Sequence, residues 1–161
     1  MTAVKRQPEI RFVVEGTPVA WSRAGDANKD GKHWHYTPPK MREYKRLVSI
    51  RAKEAMNKAG ARKPLDCPFL LGVEVFIPRP KAHYDSKGKL KDSAPAYPIT
   101  KPDFGNYEKG IEDAMNNIVY TDDARLVGRL EESRKNYADH CPPQVCVRIV
   151  PLENLTVKDV K

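Results

Sequence analysis

Lys101-Pro102-Asp103-Phe104-Gly105-Asn106-Tyr107-Glu108-Lys109 is followed, farther along the chain, by Tyr120-Thr121-Asp122-Asp123-Ala124-Arg125. Phe104, Tyr107, Ile111, Ala114, Met115 and Ile118 fall on one face at about 100° per residue, which predicts an amphipathic helix over 104–117. Asn106, Lys109, Glu112 and Asp113 fall on the opposite side. Asp103 stands at the N-cap position of this helix. Asp122-Asp123 stands at the junction after it. Acidic side chains thus flank one helix at both ends, and the helix itself carries a lysine.

Working outward, Phe69 to Ile77 is a mostly apolar run that reads as a buried strand ended by Pro78. Ile10 to Val14, closed by Gly16, reads as another, and Val19 to Trp21 extends the sheet after Pro18. Residues 23–39 are rich in Gly, Asp, Asn and Pro and read as loop. A helix is expected from Pro39 to about Ala59, stopped by Gly60. Its apolar positions are Met41, Tyr44, Val48, Ala52, Ala55 and Met56, at three-to-four spacing. Leu126 to Tyr137 and Val145 to Val150 complete the list as two strands, expected to be antiparallel neighbours. The order is β-α-β-α-β-β without repeats. It implies an α+β fold in a single domain, 1–161, with a mixed sheet and the helices packed on one face.

Residues 79–100 hold Arg79, Lys81, Lys87, Lys89 and Lys91 among prolines with little apolar content, which reads as a mobile basic loop. His83, Tyr84 and Tyr97 offer rings for base stacking there. Residues 152–161 read as a C-terminal tail.

A chain of 161 residues fits one domain with a core of its own. Lys and Arg number 29 against 21 Asp and Glu, a formal charge of +8. That balance points to a polyanionic partner, because each neutralised phosphate releases condensed counterions. No apolar run approaches the ~20 residues of a membrane span, and Met1 to Glu9 has no secretory h-region, so no membrane partner and a cytoplasmic location are expected. Cys67, Cys141 and Cys146 lack Cys-x-x-Cys spacing and read as reduced thiols. His140 beside Cys141 hints at a metal site without a fourth ligand. No phosphate-cradling glycine loop is present, so no nucleotide cofactor is expected, and no nucleophile elbow appears. Asp26-Ala27-Asn28-Lys29-Asp30-Gly31 imitates a calcium loop, but Thr37 stands where the bidentate carboxylate belongs, so it reads as a turn. His33-x-His35, beside Trp34 and Tyr36, reads as exposed strand or loop.

Taken singly, Asp103 is an ordinary helix cap and Asp122-Asp123 an ordinary turn. Taken together, they lie on either side of one helix, where chain reversal can bring them near each other. Adjacent carboxylates repel unless a cation sits between them. Oxygen-only ligands suit Mg²⁺ or Mn²⁺, either of which also binds a phosphate oxygen. Lys109 can then reach a phosphate or stabilise charge developing on it.

At these residues the chain resembles the RusA family of Holliday-junction resolvases, phage-type members included. The family motif reads roughly Lys-Pro-Asp-x-Asp-Asn-x-x-Lys, then a further Asp, then Asp-Asp before a strand. Here it becomes Lys101-Pro102-Asp103-Phe104-Gly105-Asn106, Lys109, Asp113 and Asp122-Asp123. Tyr36-Thr37-Pro38 and the basic loop are similar to phage members as well. The resemblance implies a metal-dependent, homodimeric endonuclease that places paired nicks in branched DNA, the four-way junction, during recombination and repair. Asp103 and Asp123 are implied as metal ligands, with Asp122 beside them, and Lys109 as the catalytic lysine. Asp113 and Asn106 are supporting residues, and Lys101 joins the basic loop in binding DNA. Gly105 departs from the pattern, because the family's second motif aspartate is missing there. Either this is an engineered inactive form, or a natural member has lost its site, leaving a catalytically inactive junction-binding form, or has rebuilt it, with Glu74 the first candidate to complete it. A basic protein that docks another protein through its acidic patch is the remaining alternative.

Overall fold

The computed structural model describes residues 6–160. Residues 1–5 and 161, the ends of the expected domain, lie outside the described residues. Strand β1 (Ile10–Glu15) is followed by a hairpin of β2 (Gly25–Lys29) and β3 (Lys32–Tyr36), and then by helix α1 (Pro39–Lys58). Strand β4 (Phe69–Ile77) leads to helix α2 (Phe104–Met115), and β5 (Leu126–Arg129), β6 (Arg134–Tyr137) and β7 (Gln144–Pro151) close the chain. The main sheet runs β1-β7-β4-β5, with β6 also beside β4. β7 is antiparallel to both β1 and β4, whereas β5 and β6 run parallel to β4. The sheet is therefore mixed, in an α+β fold.

Strand alternation decides which face carries the helices. Ile10, Phe12 and Val14 on β1, Phe69, Leu71, Val73 and Val75 on β4, and Val145, Val147 and Ile149 on β7 all point to one side and are buried. Against them pack Tyr44, Val48 and Ala52 of α1 and Tyr107, Ile111, Ala114 and Met115 of α2. The buried positions of α1 are those its three-to-four spacing selects. Ser49 Oγ donates to the Ala114 carbonyl (3.0 Å) and ties the two helices together.

Four expectations change in the structure. The segment 126–137 is two strands, because residues 130–133 leave the ladder; there the Ser133 hydroxyl accepts from the Val73 amide (3.2 Å) and donates to the Leu71 carbonyl (3.3 Å). It is not the neighbour of β7, because β4 lies between them. β4 lies at the centre of the sheet; Phe69, Leu71, Val73 and Val75 on its helix side are fully buried, whereas Leu70, Glu74 and Phe76 on the other side are only partly so. The stretch expected as loop at 23–39 contains the β2–β3 hairpin. Its two-residue turn is Asp30-Gly31, both at positive φ (53° and 72°), the conformation that such hairpins require and that Gly and Asp accept. Val19 to Trp21 does not extend the sheet; it lies against α2, where the Trp21 amide donates to the Asn106 carbonyl (2.8 Å).

Candidate active site on helix α2

Helix α2 starts at a place held from the sheet. The Lys135 ammonium on β6 donates to the carbonyls of Thr100 (2.8 Å) and Pro102 (2.9 Å), which fixes the approach to the helix. Asp103 sits at the N-cap with extended backbone, yet its carboxylate makes no capping hydrogen bond. The Asn106 amide donates to the Asp103 main-chain carbonyl instead. The exposed Asp103 carboxylate is thus left over from helix formation.

The two flanks of α2 differ chemically. On one, Lys109 Nζ lies 3.7 Å from the centroid of the Trp21 ring, a cation–π contact that holds the ammonium in place. Trp21, Arg23, Lys40, Lys101, Asp103 and Asn106 line a groove of about 770 Å³ beside it. Three cations around one carboxylate favour an anionic backbone there.

The other flank faces β5. Glu108 is 3% exposed although charged. Arg129 donates to its Oε1 through Nε (2.8 Å) and Nη2 (2.5 Å). The buried Oε2 has no hydrogen-bond partner. Glu112, one turn on, meets Glu108: burial and then the Glu108 carboxylate push it up to about 7, Asp123 acts in the same direction, and Arg129 opposes them. Asp123 is brought here by Tyr120, which stacks on Phe69 with centroids 4.5 Å apart and donates its hydroxyl proton to the Glu112 carbonyl (2.7 Å). Asp122 caps the short 3-10 turn Asp123–Arg125. Its carboxylate accepts from the Ala124 amide (2.9 Å), which with the Asp123 carboxyl holds it below the usual carboxylate range.

Asp103, Asp122 and Asp123 are not gathered into one ligand set. Among the described residues, the group of three ligand side chains within 4.8 Å of one another is Asp26, His33 and His35 on the β2–β3 hairpin. Asp113 faces α1, where Lys45 Nζ lies 3.6 Å away. Glu74 cannot complete a site on α2. Val73 and Val75 point to the helix face, so Glu74 alternates to the opposite face, level with Cys146. Gly105 is exposed, and a Cβ there would meet no atom within 4 Å. The donors beside α2 are carboxylate oxygens, the kind Mg²⁺ and Mn²⁺ take, but among the described residues no three of them lie within 4.8 Å of one another.

The sequence reading passed over Glu108, Arg129 and Lys135. Glu108 had a signal: at 100° per residue it falls next to Met115, at the edge of the apolar arc of α2, where a glutamate that is buried needs a partner. Arg129 and Lys135 had none, because their partners lie far away in sequence.

The loop at 79–100 is built rather than featureless. The Asp85 Oδ1 accepts from the Lys87 and Lys89 amides (2.9 Å each), and the Lys91 amide donates to the His83 carbonyl (2.9 Å). Arg79, expected on DNA, is committed inside the protein. Its guanidinium, 4% exposed, binds both Asp139 oxygens (2.6 and 2.8 Å), donates to the Pro95 carbonyl (2.7 Å) and lies 4.1 Å from the Tyr137 ring centroid. Lys81, Lys87, Lys89 and Lys91 remain exposed. All three cysteines are free.

The α+β domain thus carries a cationic groove on one flank of α2 and an acidic edge on the other. The chain belongs to the RusA endodeoxyribonuclease family, whose model matches residues 15–150. The family is one of Holliday-junction resolving endonucleases. The chain is also 33% identical over 143 residues, 88% of its own length and 96% of the relative's, to an uncharacterized protein of Bacillus subtilis (strain 168), YqaN. No helix among the described residues is long and apolar enough to cross a membrane.

Proposed function

We propose that this chain is a cytoplasmic, homodimeric endonuclease that recognises four-way DNA junctions and nicks them with Mg²⁺ or Mn²⁺ bound at α2. The family match carries the reading, because it covers both helices, the groove and the acidic turn. Arg23, Lys40 and Lys101 draw the backbone into the groove. Asp103 and Asp123 are the carboxylates that the resemblance implies as ligands; they stand at opposite ends of α2 and are not gathered into one set in the structure. When bound, a divalent cation polarises a phosphate oxygen and lowers the pKa of an attacking water. Lys109, kept in place by Trp21, is positioned to neutralise charge that builds on the phosphate. A two-fold dimer matches a substrate whose two cleaved strands are related by symmetry.

One observation favours a second reading. Gly105 supplies no ligand where the family motif has aspartate, and this fits a junction-binding protein without activity. A labelled four-way junction and a linear duplex of the same sequence, each incubated with Mg²⁺, Mn²⁺ or EDTA, separate the two. Paired nicks that need the cation support the nuclease. Tight junction binding without nicks supports the silent form. Equal affinity for junction and duplex refutes both.

A further inference from the structure

We infer that the β2–β3 hairpin carries a metal site of its own, in which Asp26, His33 and His35 hold a divalent transition ion of the Zn²⁺ type and so staple a hairpin that lacks a core. The inference stands apart from the nuclease reading, because its test needs neither DNA nor the carboxylates of α2.

Strand register brings the ligands together. Asp26 on β2 pairs with His35 on β3, and Asn28 pairs with His33. Residues two apart on a strand share a face, so Asp26, His33 and His35 stand on the same one. One ligand atom from each, a carboxylate oxygen and two ring nitrogens, all lie within 4.8 Å of one another. Asp26 Oδ1 is 2.6 Å from His35 Nδ1, and the His33 and His35 ring centroids are 5.4 Å apart. Around a tetrahedral Zn²⁺, with bonds of about 2.0–2.1 Å, ligand atoms stand about 3.3 Å apart. The His35 and Asp26 side chains, 71% and 61% exposed, have room to turn through that difference. The donor set decides the class of ion. Imidazole nitrogen suits Zn²⁺, Cu²⁺, Ni²⁺ or Fe²⁺, whereas Mg²⁺ and Ca²⁺ take oxygen ligands. Three protein ligands leave a fourth position for water. The hairpin also has a use for an ion. It forms a two-stranded sheet apart from the main one, and none of its strand residues is buried. Such a hairpin is marginally stable at best in water. Its other face is occupied differently: the Tyr36 ring fills the space that a Cβ on Gly25 would take, and Trp34 is exposed. Arg23 and Lys40, just outside the two ends of the hairpin, both line the groove beside α2. A stapled hairpin therefore gives that groove a fixed rim.

Calorimetric titration of the tag-free full chain with Zn²⁺, under a phosphine reductant, reads binding directly. Co²⁺ in its place reports the ligand type, because thiolate adds a strong near-ultraviolet charge-transfer band that imidazole and carboxylate do not. Thermal melting in parallel checks that each variant is folded. One Zn²⁺ is expected to bind per chain, and excess Mg²⁺ is expected to leave it bound. His33→Ala, His35→Ala and Asp26→Ala are each expected to weaken binding at least about tenfold, the lower end of what loss of even an outer partner costs a metal site. His140→Ala, beside Cys141, is expected to change it less than twofold. Amide hydrogen exchange over residues 25–36 is expected to slow when Zn²⁺ is added. An unaltered chain that binds no Zn²⁺ at millimolar concentration overturns the site. So does unchanged affinity in folded His33→Ala or His35→Ala, a Co²⁺–thiolate band, or slowed exchange that leaves 25–36 out. Absent junction nicking with Zn²⁺ binding intact sinks only the nuclease reading.

Discussion

Gly105 lies in the first turn of α2 with open space where a side chain would stand. Replacing it with aspartate meets no steric resistance, removes the entropy cost of a helical glycine and puts a negative charge near the positive end of the helix. An added carboxylate there stands two residues from Asp103, where the family motif has aspartate. Gly105→Asp is therefore expected to raise Mg²⁺-dependent nicking of a four-way junction by about tenfold, equivalent to ~1.4 kcal/mol of transition-state stabilisation. A rate within twofold of the parent shows that position 105 is no longer part of the site.

Between β4 and α2, the basic loop depends on a single buried guanidinium. Arg79 reaches Asp139 beyond β6 and the Pro95 carbonyl within the loop, so one side chain closes both ends of the segment. The same contact holds the Asp139 carboxyl below its ordinary value of 3.8. A depressed carboxylate stabilises the fold above that ordinary value, and the contribution is lost as the pH falls through the lowered one. Asp139→Ala should cost about 1–2 kcal/mol in urea unfolding at pH 7, with the difference from the parent shrinking at an acid pH well below 3.8. A difference that is the same at both pH values shows that the ion pair does not anchor the loop. The exposed lysines of this loop belong to a different experiment. Lys87→Ala, Lys89→Ala and Lys91→Ala combined should weaken junction binding and reduce the slope of log affinity against log salt by about 2–3. An unchanged slope means that the loop only links β4 to α2.

For the whole molecule, charge and symmetry set the expectations. A net charge of +8 gives long-range attraction to a polyanion, and in the proposed homodimer the spacing of two copies of the groove would select a branched substrate. Light scattering at micromolar concentration should return twice the chain mass of 18.3 kDa. The monomer mass alone contradicts paired nicking by one assembly. The face of the sheet away from the helices carries the Glu9–Arg148–Glu132 ion pairs rather than a second apolar layer, so one layer of helices completes the fold.

What the sequence determined by itself was periodic or local. The three-to-four spacing of Met41, Tyr44, Val48, Ala52, Ala55 and Met56 names the buried side of α1, and the alternation of Ile10, Phe12 and Val14 names the buried side of β1, because helical and strand geometry convert spacing directly into direction. The motif from Lys101 to Asp123 likewise located α2 and its acidic ends. Which partners meet was left to the tertiary structure. Sheet order placed β4 between β7 and the β5–β6 pair, turned Glu74 away from α2, and brought Arg129 onto Glu108 and Lys135 onto Thr100 and Pro102. Those contacts join residues 21 to 35 positions apart. Local spacing carries no information about such pairs, because they form only when packing of the shared core has chosen which strand lies beside which helix.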